Sequence, residues 1–186
     1  MVRITTDSGQ LPRRVYRLIN NRFHLVTQGI SRIERATGIT YPLYYIEPSL
    51  IISTSAIESE QFGILFARTI PLVVDNDLRI VIQITAPLIT CGHLGSIHAI
   101  LAHEFLHYLK LMSKIMKMDV LSDEISRTFF EQKYMDHSQI IHERVVFKND
   151  PTLIHHLLSR FSTGFKDSRL ENRVVKEWID KRLPMT

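Results

Sequence analysis

The chain has 186 residues, 45% of them hydrophobic and 23% charged, with 7 Gly, 7 Pro and a formal net charge of +4. This is the composition of an ordinary folded chain, and it excludes disordered, collagen-like and coiled-coil classes; the length suits one domain, 1–186, with its own core. One cysteine, Cys91, excludes an internal disulfide framework and a cysteine-rich zinc site.

The first residues, MVRITTDSGQLPRR, carry no apolar stretch of the kind a secretory signal needs, and residues 1–11 are expected to be flexible. No run of about 18 apolar residues follows, so the expectation is a cytoplasmic protein without a membrane span. Charge is unevenly spread: residues 1–38 hold seven Arg against Asp7 and Glu34, a net +5, which leaves −1 for the rest. A basic segment of this kind is either a solvated helix face or a contact for an anionic partner such as nucleic acid.

Val15, Ile19, Phe23, Val26, Ile30 and Ile33 recur at spacings of four and three, the apolar stripe of an amphipathic helix expected over 12–37, with Gly38 as its stop. Three extended segments are expected next, at 41–46, 62–70 and 79–86. In the last, Ile80, Ile82 and Ile84 alternate with Val81, Gln83 and Thr85. The acidic turn at 75–77 separates the second from the third, and Pro87 is expected to close the third before a loop containing Gly92 and Gly95. From 96 to about 118 no Gly or Pro interrupts a run rich in Ala, Leu, Met and Lys, which predicts a helix. Further helices are expected at 123–135, from Pro151 onward, and at 168–182.

The helix expected from 96 to about 118 carries the chemistry. His103-Glu104-Phe105-Leu106-His107 is HExxH. Histidines four apart leave one helix face together, so both imidazoles can reach one ion. Zinc accepts imidazole nitrogen readily, and the intervening glutamate is placed to take a proton from a water on the ion.

The motif and its setting resemble the zincin metallopeptidases, an α+β architecture with an N-terminal backing helix, a small twisted mixed sheet, an active-site helix and a C-terminal helical part. The architectural likeness covers 12–135; motif identity is confined to His103–His107. The resemblance implies a peptidase holding one Zn2+ per chain through His103 and His107, with Glu104 as the catalytic base and a peptide or protein as substrate. It also implies that substrate adds to the edge of the sheet in extended form, a role that would fall to about 79–86, the last strand before the active helix.

The third metal ligand separates the subfamilies. The metzincin extension is absent: Met112 and Ser113 occupy its stretch, and no glycine follows until Gly164. The gluzincin pattern puts a glutamate on the next helix, for which Glu124 is the first candidate, although Asp123 stands where that family has asparagine and the serine comes one position early. Glu131 is the alternative, because a helix running to 118 travels about 16 Å past His107 and must be matched on the return. A histidine, His137 or His142, would fill the role as in SprT-like proteases. Tyr134, His137 and His142 are also candidates to stabilise an oxyanion. His93 is placed to line the cleft, whereas His98, His155, His156 and Cys91 are expected to be packing or surface residues. Two other readings stay open: a SprT-like protease of DNA-bound proteins, supported by the basic first helix, and a non-catalytic zinc-binding regulatory module on the same scaffold.

Overall fold

A computed structural model describes residues 11–54, 62–74, 77–116, 141–162 and 164–186. The chain is α+β. Helix α1 spans Arg13–Thr37 and buries Ile19, Val26, Ile30 and Ile33, the stripe read from the sequence. It ends where Gly38 turns to φ 70°, a left-handed conformation that a side chain would strain, and donates its N–H to the Glu34 carbonyl.

Five strands follow: β1 Leu43–Glu47, β2 Ile51–Thr54, β3 Phe62–Leu65, β4 Ala67–Val74 and β5 Asp77–Thr85. The expected strand over 62–70 is thus two, parted at Phe66, and β2 is an additional strand that the sequence reading did not mark. β2 and β3 form an antiparallel pair of their own. The backbone of Leu50 and Ile52 also meets Pro184 and Thr186, with Leu50 N donating to Pro184 O and Ile52 N to Thr186 O.

The main sheet has the order β1-β5-β4, with β1 parallel and β4 antiparallel to β5. This corrects the expectation for 79–86. β5 is the central strand, not the edge, because it pairs on both sides. Among the described residues β1 and β4 each have one strand neighbour, so both are edges of the sheet, and Ala67–Val74 is the edge that packs against α3. Burial fits this arrangement: Ile82 and Ile84 are fully buried, and Gln83 on the opposite face is 3% exposed. There Gln83 is held between Arg68, which donates to its side-chain carbonyl, and Glu47, which accepts from its amide.

Pro87 does not open a loop. It sits in the first turn of a second helix, α2 (Ala86–Cys91), where its missing N–H costs nothing. Arg22 of α1 closes the other end of α2, donating to the carbonyls of Ile89 and Gly92. This places a cation against the negative end of the helix.

Helix α3, Leu94–Met116, packs against α1, against β4 and against a later helix. Its Ile97, Leu101, Phe105 and Leu106 are fully buried in the shared core. The C-terminal part comprises α4 (Glu143–Val146), α5 (Pro151–Phe161) and α6 (Ser168–Val174), which continues as one π-helical turn, Val175–Ile179. The expected helix over 168–182 therefore changes its hydrogen-bond spacing midway. Asp150 and Asp167 accept the N–H of Leu153 and Leu170, capping α5 and α6.

Candidate metal centre

The expected pair leaves one side of α3. His103 Nε2 and His107 Nε2 stand 2.9 Å apart, with the rings nearly perpendicular at 86°. One helical turn separates their backbones, and the edges converge on a common point. Zinc–nitrogen bonds of about 2.0–2.1 Å in a tetrahedral site require nitrogens about 3.3 Å apart, so the pair accepts the ion after opening by roughly 0.4 Å. The donor set suits zinc: two imidazoles, that of His103 held neutral by burial. The pKa of His103 is pushed down to about 3, by burial first and by the neighbouring His107 second.

His103 is enclosed. Its ring stacks on Phe161 of α5, with centroids 3.9 Å apart and planes 7° from parallel. Phe161 in turn meets Phe165, which meets Phe66 at the β3–β4 junction. His103 Nδ1 is buried without a hydrogen-bond partner among the described residues. A metal on Nε2 would put the ring proton on Nδ1, and a ligating histidine ordinarily donates that proton to an acceptor, which this ring does not have among the described residues.

Glu104 is 6% exposed and lies against β4. The Thr69 hydroxyl is 2.8 Å from Glu104 Oε2 and 3.0 Å from the Glu104 carbonyl. Burial raises the carboxyl's pKa, while His107 and the Thr69 hydrogen bonds pull it back. Neither Thr69 nor Phe161 was marked in the sequence. Thr69 is the polar tail of an apolar segment and Phe161 one of nine phenylalanines, and no spacing ties either to HExxH.

Among the described residues no third histidine, cysteine, aspartate or glutamate joins His103 and His107. Glu124, Glu131, Tyr134 and His137, with the helix expected over 123–135, lie outside the described residues. His142 is described and is exposed at the start of α4, apart from the pair.

His93 does not line this site. It lies in the link before α3, exposed, with Nε2 3.4 Å from a guanidinium nitrogen of Arg173. It precedes His103 by ten positions, roughly 15 Å of helical rise. His98 is buried against α1, as expected of a packed ring. Cys91 is buried in α2, where burial raises its thiol pKa.

The basic first helix spends part of its charge internally. Arg22 caps α2, and Arg32 forms a bidentate pair with Asp150 at 2.6 and 2.7 Å. Arg13, Arg14, Arg17 and Arg35 are exposed. No described helix is long and apolar enough to cross a membrane. Compared with family models, curated proteins and solved structures, the chain matches none.

Proposed function

We propose that this chain is a zinc-dependent peptidase of the zincin type. The reading rests above all on two imidazole nitrogens 2.9 Å apart, one turn apart on a helix, with Glu104 buried beside them against the edge strand β4. His103 and His107 would hold one Zn2+, and a third ligand would come from 117–140, where Glu124 is the first candidate and Glu131 the alternative.

Bound zinc would polarise the scissile carbonyl and make a water acidic enough to attack it. The chain's own residues do the rest. The edge of β4 receives an extended peptide by backbone hydrogen bonding. Glu104 accepts a proton as the water oxygen bonds to the carbonyl carbon. It returns that proton to the amide nitrogen as the C–N bond breaks, releasing an amine and a carboxylic acid that then gives its proton to solvent. The apolar wall of Phe161, Phe165 and Phe66 keeps bulk water from the buried face of His103 and strengthens the electrostatics inside.

Zinc content and turnover test the reading together. The wild type is expected to hold one equivalent of zinc; His103→Ala and His107→Ala are expected to hold none. Glu104→Gln is expected to keep zinc and lose turnover of an unfolded protein. Zinc absent from the wild type, or retained by His103→Ala, removes the reading.

The enclosure of the site favours a second reading, a zinc-binding module without catalysis. His103 and Glu104 are each 6% exposed, and Phe161 lies flat on the metal-binding ring. Equimolar zinc with no cleavage of any unfolded substrate selects it.

A further inference from the structure

We propose that Thr69 is the positioning residue of Glu104, tying the placement of that carboxylate to the strand edge that takes the substrate. The inference rests on the peptidase reading above and adds a residue to it.

The strand register fixes which way Thr69 faces. Ala67 to Val74 of β4 pair with Ile84 to Asp77 of β5 without interruption, and Thr85 N donates to Phe66 O at 3.0 Å. In an antiparallel ladder the mutually hydrogen-bonded pairs alternate with pairs whose N–H and C=O groups turn outward. Counting from Phe66 and Thr85, Arg68 and Ile70 bond inward to Gln83 and Val81. Ala67, Thr69 and Pro71 direct their backbone groups to the other edge, which has no strand partner among the described residues.

Thr69 therefore has two faces with different partners. Its N–H and C=O lie on the edge where an extended peptide would pair. Its side chain stands perpendicular to that edge, on the face towards α3, with Oγ1 2.8 Å from Glu104 Oε2. A hydroxyl has one proton, and between a carboxylate oxygen and a backbone carbonyl at 3.0 Å the charged acceptor is the stronger. With that bond made, Glu104 Oε2 is tied down and Oε1 is left for the water. A peptide pairing at Thr69 sits one residue's width from the group that will serve as its base. A valine in this place keeps the shape and the β propensity but leaves the carboxylate loose.

The test uses the full chain, loaded with one equivalent of zinc, and fluorophore-labelled casein as the probe. Thr69→Val is expected to keep equimolar zinc and to lower kcat by about 10- to 100-fold, with KM within about threefold. Thr69→Ser is expected to restore kcat to within about fivefold, which a purely structural role of the methyl group would not do. Wild-type kcat in Thr69→Val, or no recovery in Thr69→Ser, overturns the proposal.

A second measurement needs neither turnover nor metal. In zinc-free protein, Thr69→Val is expected to lower the thermal midpoint in the wild-type background and to leave it unchanged in a Glu104→Leu background. If zinc is held but casein is not cut, or if Thr69→Val misfolds under the assay, the midpoints, with Thr69→Ser alongside, decide. Additive midpoints overturn the positioning role and leave the peptidase reading standing. A wild-type chain that holds no zinc and cuts nothing overturns the peptidase reading, and the positioning role with it.

Discussion

Gly29 of α1 and His98 of α3 touch so closely that a Cβ on the glycine would stand 2.7 Å from His98 Cδ2, and 2.9 Å from the Leu101 side chain. The two helices cross at this point, and the missing side chain is what lets them approach. The same contact holds α3, the helix that carries His103 and His107, against α1.

Gly29→Ala separates local propensity from packing. In an isolated helix the change gains about 1 kcal/mol. Here the imidazole ring is rigid and buried, so relieving the contact costs about 1–3 kcal/mol in displaced core. The expected outcome is a net loss of about 0–2 kcal/mol in urea unfolding at an unchanged m-value. A more stable variant would mean that the helices can part freely.

Much of the frame is legible from local pattern. The stripe from Val15 to Ile33 predicts α1 almost to the residue, because one apolar face at a 3.6-residue period leaves a helix little alternative, and Gly38 marks its end. Ile80, Ile82 and Ile84 likewise mark β5. The position of β5 in the sheet is not legible, since the pairing of Leu43 with Val81 is a long-range contact that no local sequence signal encodes. Pro87 is misread for a related reason. Proline ends a strand and begins a helix with equal ease, and burial of all of 86–91 is a tertiary fact. His103 and His107 are found because their partnership is local to one helix. Thr69 is missed because its partner lies 35 positions away.

His98 gives the fold a dependence on mildly acidic pH. Burial, and then the charge of Arg32, lower its pKa from 6.5 to about 4. The unfolded chain therefore binds the proton that the folded chain refuses, between pH 6.5 and 4. Stability is complete above pH 6.5 and falls as pH drops through this window. The expected contribution of His98 to the loss between pH 7.5 and 4.5 in zinc-free protein is on the order of 2–3 kcal/mol. Buried His103 titrates in the same direction, so the measurement is a difference. Unfolding free energies of wild type and His98→Gln, compared across pH 4.5–7.5, should converge towards the acid end. Parallel curves would show that His98 takes up its proton without cost.

Asp150 acts in a separate and lower window. It bonds Arg32 through both carboxylate oxygens and caps α5 through Leu153 N at 2.9 Å, joining the first helix to the C-terminal part. The hydrogen bond from Arg32 is the largest cause holding its pKa below the ordinary 3.8. A depressed carboxylate contributes its stability above the unfolded value and loses it as pH falls through the folded value, so this contribution survives at pH 4.5 and goes only in stronger acid. Asp150→Asn keeps a capping oxygen and loses the ion pair; Asp150→Ala loses both. Costs of about 1 and about 2–3 kcal/mol are expected at pH 7, read from urea unfolding. Equal costs would show that the cap adds nothing beyond the pair with Arg32.

Pro71 protects the edge that the proposed function leaves open. In β4 it stands opposite Ile80 in an outward-facing pair, so the N–H that proline lacks would have pointed from the sheet's open side. Exposed strand edges pair with one another, and proline is one of the residues that prevent this. Pro71→Thr supplies the missing donor and a residue that favours strands. The change gives up the entropic advantage of proline, about 0.4–1 kcal/mol, and extends the edge available for pairing. Sedimentation velocity at rising protein concentration should show dimers or larger species for Pro71→Thr where the wild type stays at one mass. Stability should drop by less than about 1 kcal/mol when measured in dilute solution. A variant that sediments as the wild type does would mean that something other than Pro71 guards the edge, and that β4 is covered before any peptide could reach Thr69.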